Sequence, residues 1–142
     1  FKMLEHRQRI PEMVGMFQKE MAERIIATPG GKDYGVISVL TQAWYAGEYL
    51  FTVGNGNFSP PPKVQSGVIR LTRKTEDPGC KEGLFRRVVK QAFSQRRKML
   101  RNTMKPFIDN SEILTEDFFR QRPEVLSVED FVTLTNRIAG LH

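Results

Sequence analysis

The chain has 142 residues, 39% of them hydrophobic, which is enough for a domain with an apolar core. Its net charge of +6 indicates an anionic partner. One cysteine and two histidines near opposite ends exclude an internal disulfide and a Cys- or His-rich metal site, so we expect no metal and a reducing, cytoplasmic location. The longest uncharged apolar-rich stretch, Val36 to Gly47, is too short for a membrane span, which needs roughly 18 residues or more.

The first third of the chain predicts one strand and two helices. Phe1 to Arg7 has the composition of a helix tail without a preceding cap, so we expect the chain to be part of a longer protein. Met13–Phe17 is an apolar run without alternation, which predicts a short buried strand. Helices are predicted over Lys19–Ala27 and over Tyr34–Ala46, the second with Trp44 and Tyr45 as core aromatics near its end.

The middle of the chain contains a proline-rich segment between two predicted strands, Tyr49–Val53 and Val64–Arg73. The connection, Gly54 to Lys63, is long for a hairpin, and long ordered loops are often functional. Its prolines at positions 60–62 favour a stiff polyproline conformation. Phe58 precedes them and Lys63 follows, so a base could stack on the ring while the cation meets a phosphate. The alternative is that Phe58 is an ordinary core residue.

The last part predicts only helices. Thr75–Gly79 is a polar linker with Pro and Gly and is the best domain boundary. After it we predict a long helix over Lys81–Lys105, a short one starting near Thr115, and a last one over Val128–Ala139. Ser127 and Asp130 make a capping box for the last helix.

The predicted long helix is strongly basic. Between Lys81 and Lys105 there are nine basic residues and one acidic residue. Spacings of three to four place Arg87, Lys90, Arg97 or Lys98, Arg101 and Lys105 on one helical face, opposite an apolar stripe that runs from Phe85 to Met104. These six cations are the candidate RNA-binding residues. Because ordinary surfaces mix both signs, a phosphate-binding stripe is favoured over a plain solvated face. Arg96 interrupts the apolar stripe, and we expect it to pair with Glu112, Glu116 or Asp117 or to point at the domain junction.

Four motifs in order resemble the ribosomal RNA adenine N6,N6-dimethyltransferases, and the resemblance covers nearly the whole chain. Phe58 to Val64 resembles the family's F-x-P-x-P-K-V motif. Gln18–Arg24 is similar to its Q-K-E-x-x-x-R helix start, and Asp33–Val39 to its x-Y-G-x-L-S-V segment. Ala92–Asn102 resembles the A-F-x-Q-R-R-K-x-L-R-N signature of the small-subunit, KsgA-type branch.

The resemblance implies an α/β fragment, made of the C-terminal strands and helices of a Rossmann-like methyltransferase sheet, followed by a small all-α domain. We expect residues 1–74 to belong to the methyltransferase domain, 75–79 to be the linker, and 80–142 to form a helical rRNA-binding domain. The family's glycine-rich loop for S-adenosylmethionine and its Asn-Leu-Pro-Tyr-type motif are not in this sequence. The resemblance therefore implies that the full-length enzyme uses S-adenosylmethionine, whereas this portion binds no cofactor, carries no catalytic residue and is inactive alone.

By the same resemblance, Phe58, Pro60, Pro61 and Lys63 bind the target adenine, and the basic stripe receives small-subunit rRNA. The remaining motif residues, Gln18, Glu20 and Tyr34, are expected to be structural. The resemblance also places Met13–Phe17 between a strand absent from this sequence and the strand matching Val64–Arg73. Its free edge and uncovered apolar side chains are therefore expected to cause self-association, unless the missing half is retained as a separate piece.

Three other functions stay open from the sequence. One is a non-catalytic RNA-binding or ribosome-assembly module. The second is a protein-interaction segment whose polyproline rod docks in an aromatic groove, against which the basic helix argues. The third is the large-subunit dimethylases of macrolide resistance, which share F-x-P-x-P-K-V; the run from Gln95 to Asn102 favours the small-subunit branch.

Overall fold

The computed structural model of the chain describes residues 2–54 and 65–142. Three strands and three α-helices come first, interspersed along the chain, and only helices follow β3. The strands are β1 (Glu12–Gln18), β2 (Tyr45–Val53) and β3 (Ser66–Arg73). The helices are α1 (Lys2–Glu5), α2 (Lys19–Ile26), α3 (Val36–Gln42), α4 (Glu82–Phe93), α5 (Leu100–Thr103), α6 (Ser111–Leu114) and α7 (Val128–Gly140). Short 3₁₀ turns cover Arg7–Arg9, Asp117–Arg120 and Pro123–Val125.

The three strands form one antiparallel sheet in the order β1-β3-β2. Gln18 pairs with Ser66 at one end of β1, and Val53 pairs with the same residue from the other side. The predicted strands at 13–17, 49–53 and 64–73 are therefore confirmed as elements. Since Gln18 and Val53 both pair with Ser66, β2 ends and β3 begins at the same end of the sheet where β1 ends. The 54–65 connection therefore starts and finishes beside the beginning of α2.

Helix α2 covers one face of the sheet with Ala22 and Ile25, which are fully buried. Helix and sheet are close at Gly67, where an added Cβ would lie 2.9 Å from the Cβ of Ala22. That distance is shorter than real Cβ contacts, so the helix reaches the sheet only because this position has no side chain.

The other face of β1 is open. Val14 and Met16 are each 54% exposed, and exposure alternates along the strand. The prediction of a buried strand is therefore wrong for this chain, because α2 covers only one face and β3 pairs with only one edge. The pairing with β3 and the uncovered apolar side chains agree with what we expected of this strand.

The predicted helix over Tyr34–Ala46 is too long at both ends. Helix α3 begins after Gly35, whose N–H donates to Ser38 Oγ at 3.1 Å. It ends at Gln42, and Tyr45 already pairs with Arg73 as the first residue of β2. Strand pairing thus overrides the helical pattern. Trp44 and Tyr45 are buried, as predicted for core aromatics.

The helical part packs α4 against α7, and its buried side chains belong to one connected cluster with those of the sheet region. The division at residues 75–79 stays a prediction. Helix α7 begins with the predicted capping box, in which Ser127 and Asp130 exchange hydrogen bonds of 3.0 Å. No α-helix starts near Thr115 as predicted: α6 ends at Leu114, and the short 3₁₀ turns Asp117–Arg120 and Pro123–Val125 come before α7.

Candidate nucleic-acid interface

Helix α4 has the amphipathic character that its sequence predicts. Phe85, Val88, Val89 and Ala92 are fully buried on its inner side. Arg87 and Lys90 are exposed to solvent on the outer side. Burying four apolar side chains fixes the helix against its neighbours, so the exposed cations are carried on a rigid support.

The predicted single helix over Lys81–Lys105 is interrupted. Helix α4 ends at Phe93, and the short α5 begins at Leu100. Two contacts favour the break. The Ser94 hydroxyl donates to the Gln91 carbonyl at 2.6 Å, which competes with helical bonding. The Leu100 N–H donates to the Gln121 carbonyl at 2.9 Å, a tertiary bond in place of the helical one. The predicted arrangement on one continuous helical face is therefore wrong.

Six cations nevertheless remain on the outside of this region. Two lie on α4, two in the turn between the helices, one on α5 and one just after it. We call this set the basic surface: Arg87, Lys90, Arg97, Lys98, Arg101 and Lys105, all exposed. Within residues 2–54 and 65–142, none of the six forms a salt bridge. Their charge is therefore available to an anionic partner.

Arg96 differs from its neighbours in the turn because it points inward. Its guanidinium donates to the Tyr34 carbonyl and, at 3.4 Å, to the Gly31 carbonyl. Its Nε lies 3.6 Å from the Glu124 carboxylate, and its Cζ lies 5.5 Å from the centre of the Phe93 ring. The expectation that Arg96 points inward is correct. Its carboxylate partner is Glu124, not Glu112, Glu116 or Asp117. Arg96 thereby fixes the turn that presents Arg97 and Lys98.

Tyr34 completes this junction from the other side. It is fully buried, and its hydroxyl donates to the Leu126 carbonyl at 2.7 Å. Burial, together with the nearby Glu129 and Asp130 carboxylates, raises the pKa of the Tyr34 hydroxyl above its ordinary value. The Tyr34 ring also packs edge-on against Phe93, with 6.1 Å between the ring centres. These contacts support the expectation that Tyr34 is structural.

The residues predicted to bind the target adenine, Phe58, Pro60, Pro61 and Lys63, lie outside the described residues. Their flanks are described. Gln65 precedes β3, and its carbonyl accepts a 2.9 Å hydrogen bond from the Lys19 N–H at the start of α2. Gln65 also lines an open cleft with Gln18 and Glu20, two residues of the helix-start motif. Gln65, the first described residue after the proline-rich motif, therefore lies beside the helix-start motif.

Glu20 forms an ion pair within its own helix, since Arg24 Nη2 donates to Glu20 Oε1 at 2.6 Å.

The sequence did not indicate Glu124, which lies in the 3₁₀ turn Pro123–Val125, as a partner of Arg96. In the structure the two side chains form an ion pair. No local signal marks Glu124, because it is 28 residues away and the contact depends on how the turn packs.

The part of the chain that the structure describes contains no group of three or more His, Cys, Asp and Glu side chains able to hold a metal ion. None of its helices is long and apolar enough to cross a membrane.

A sequence model of the family described as "Ribosomal RNA adenine dimethylase" matches residues 1–139. This chain belongs to that family. Dimethylase relatives are close in sequence: "Ribosomal RNA small subunit methyltransferase A" of Bacteroides thetaiotaomicron is 59% identical over 140 residues. The protein of the same name from Flavobacterium johnsoniae is 56% identical over 140 residues. These alignments cover 97% of this chain, and 52% and 53% of the two relatives. The chain thus spans about half the length of the curated dimethylase relatives it matches.

Solved structures agree on the dimethylase fold. A dimethyladenosine transferase from Plasmodium falciparum superposes with a TM-score of 0.86 at 24% identity, over 99% of this chain and 61% of that one. The 23S rRNA methyltransferase ErmE gives a TM-score of 0.60 at 19% identity, over 92% of this chain and 55% of that one. The strands and helices described above therefore correspond to part of a dimethyladenosine transferase fold.

Proposed function

We propose that this chain is the RNA-facing, C-terminal portion of an S-adenosylmethionine-dependent enzyme that dimethylates N6 of adenosines in small-subunit rRNA during ribosome biogenesis. The observation that carries the proposal is the basic surface, in a chain whose relatives bear the name of a small-subunit rRNA methyltransferase. Phosphate contacts from exposed Lys and Arg supply sequence-independent affinity for RNA. Since the proposed substrate is ribosomal RNA, we also propose a cytoplasmic location.

The cofactor is proposed to bind in the part of the whole protein outside this chain. Gly30 and Gly31 lie between α2 and α3, and Gly54 lies between two strands of the sheet. A cofactor loop of the glycine-rich type follows a strand and opens a helix, and neither position fits that context. The positions of Gly30, Gly31 and Gly54 therefore support a cofactor site elsewhere in the whole protein.

The sheet is proposed to be the last part of a larger, Rossmann-like sheet, with residues 1–74 in the methyltransferase domain and 80–142 as the helical rRNA-binding domain. The uncovered side of β1 supports this proposal. Its outer edge is unpaired with any described strand, and Val14 and Met16 are exposed apolar side chains. Such an edge is typical of a strand that continues a sheet in the intact protein.

Within that enzyme, Phe58, Pro60, Pro61 and Lys63 are proposed to hold the target adenine. The exocyclic amine of adenine is a weak nucleophile because its lone pair is delocalised into the ring. Enzymes that act on a base take it out of the stack and hold it by stacking and hydrogen bonds. The proposed division is that this chain supplies the stacking ring and the RNA surface, and the rest of the protein supplies the groups at the amine.

Methyl transfer to small ribosomal subunits by the whole protein tests the proposal. We expect incorporation into unmethylated small subunits and none into large subunits. Replacing Arg97, Lys98 and Arg101 by Gln should raise KM for the subunit several-fold with little change in kcat, because the charges act in binding. A control with Arg9, Lys74 and Arg120 replaced by Gln removes the same charge from elsewhere. Equal KM values for the two variants would contradict an RNA role for the basic surface.

A further inference from the structure

A groove opens beside the basic surface. It lies at the beginning of α4, at the opposite end from the turn that joins α4 to α5. It lies between the beginning of α4, the segment after α5 and the last turn of α7. Its volume is about 410 Å³, within the roughly 300–1,000 Å³ that ligand pockets occupy. We call it the terminal groove; its walls include Lys81, Leu84, Arg87, Pro106, Phe107 and His142.

The charge in the groove is positive and uncompensated. Lys81 and Arg87 are exposed, and neither forms a salt bridge with any residue among 2–54 and 65–142. The acid nearest in sequence, Glu82, is already occupied by Arg7 at 2.8 Å and by Arg86 at 3.3 Å. Asp109 lines the adjoining cleft beyond Phe107 and is not among the residues that line this one. An anionic ligand is therefore favoured here.

The groove also offers an aromatic ring, that of Phe107, which packs against the hydrophobic core. Phe107 is partly buried, its N–H donates to the Met104 carbonyl at 2.9 Å, and its carbonyl accepts from the His142 ring at 3.0 Å. The floor is apolar, with Ile138 almost fully buried. An aromatic ring and an apolar wall, lined together with two cations, match a base together with its phosphates.

We propose that the terminal groove binds an unstacked nucleotide of single-stranded RNA that continues from the basic surface. Arg87 belongs to both sets, so a strand lying along the basic surface reaches the groove without a gap in positive charge. The bases of a duplex are stacked and paired inside it, so a single strand, loop or bulge is the class of RNA selected. The inference rests on the proposed function in one respect, that RNA is the partner.

Fluorescence anisotropy with this chain tests the groove, using a ten-nucleotide single-stranded RNA and a blunt-ended RNA duplex without a loop as probes. Lys81→Gln changes only the groove, and Lys98→Gln changes only the basic surface. For the single strand, each should flatten the slope of log K against log salt by about 0.7. For the duplex, Lys81→Gln should have no effect. Phe107→Leu should weaken single-strand binding by roughly fivefold or more, with an unchanged slope.

Phe107→Tyr keeps the ring and should bind as the wild type does, which separates stacking from a folding defect. Thermal melting of each variant checks that the fold is retained. If Lys98→Gln flattens the slope while Lys81→Gln and Phe107→Leu bind like the wild type, the groove proposal is wrong and the proposed function stands. If the chain binds neither probe, both are wrong.

Discussion

Arg7 and Glu82 are 75 residues apart in sequence and form a two-bond ion pair, with hydrogen bonds of 3.1 and 2.8 Å. Arg7 also donates to the Leu4 carbonyl at 2.8 Å, and its Cζ lies 4.5 Å from the centre of the Trp44 ring. The N-terminal segment is thereby attached to the first turn of α4. The pair thus connects the sheet region with the helix that carries the basic surface.

This ion pair predicts an acid-dependent loss of stability. Hydrogen bonds from Arg7, with a further contribution from Arg86, lower the pKa of the Glu82 carboxyl from its ordinary 4.5. Because the folded-state pKa is below the unfolded one, the stabilisation is complete above 4.5 and is lost as the pH falls through the folded-state value. A double-mutant cycle with Arg7→Gln and Glu82→Gln should give a coupling of about 1 kcal/mol at pH 7, since the pair is partly exposed.

Urea unfolding at pH 7 and at steps down to about pH 3 would measure that coupling. The coupling free energy should decrease only at pH values below the ordinary pKa of a glutamate carboxyl. Glu76→Gln, at an exposed acid between β3 and α4, serves as the control and should change stability little. A coupling that stays constant into strong acid would contradict the assignment of the lowered pKa to this pair.

Arg96 is predicted to be a positioning residue for the turn that carries Arg97 and Lys98. Arg96→Lys keeps the charge but loses the planar set of donors that reaches Tyr34, Gly31 and Glu124. We expect it to lower the free energy of unfolding by about 1–2 kcal/mol. It should also speed amide hydrogen exchange within the turn at residues 94–98.

The matched control is Arg97→Lys, at the next position and exposed to solvent. It should change stability by less than about 0.5 kcal/mol. Equal melting temperatures and equal exchange rates for the two variants would show that the contacts of Arg96 do not hold the turn.

The basic surface predicts a steep salt dependence of RNA binding by this chain. Each phosphate contact to single-stranded RNA contributes a slope of about −0.7 in log K against log salt. Changing Arg97, Lys98 and Arg101 to Ala should therefore flatten the slope by roughly two units if all three contact phosphate. Binding should show no sequence preference. Titrations between low and moderate salt measure this, and an unchanged slope would make the three ordinary surface residues.

Phe58 is predicted, from its motif, to be the ring on which the target adenine stacks. In the whole protein, Phe58→Ala should lower kcat/KM for methylation by roughly 5- to 150-fold, which is the range for losing one base–aromatic stack. Cofactor binding should be unchanged, because the ring is proposed to contact only the base. Phe58→Tyr keeps the ring and should retain activity. Turnover near the wild-type value in Phe58→Ala would return Phe58 to a core role.

The free edge of β1 predicts self-association of this chain when it is isolated. Val14 and Met16 are exposed, and no charge interrupts the run from Met13 to Phe17. Size exclusion with light scattering should show species larger than 16.4 kDa. Val14→Lys with Met16→Lys should restore the monomer, whereas Val125→Lys, at an exposed apolar residue elsewhere, should not. A clean wild-type monomer with β1 ordered would disprove the prediction.

Local chemistry alone determined several elements of this protein. The apolar spacing of Phe85, Val88, Val89 and Ala92 defines α4, and the Ser127–Asp130 capping box defines the start of α7. Both depend on residues within one or two helical turns, so the sequence contains the whole cause. The identity of the basic residues and their exposure are likewise local properties, since charged side chains seldom become buried without a partner.

Tertiary contacts decided what the sequence could not. The helix pattern continues through Ser94–Lys98, yet the chain leaves the helix there because Arg96 binds the Tyr34 carbonyl and Leu100 binds the Gln121 carbonyl. Tyr45 joins β2 because Arg73 is available as its strand partner. Each of these choices depends on a group 21 or more positions away in the chain. Such a partner is invisible to periodicity and propensity, which sample only neighbouring residues.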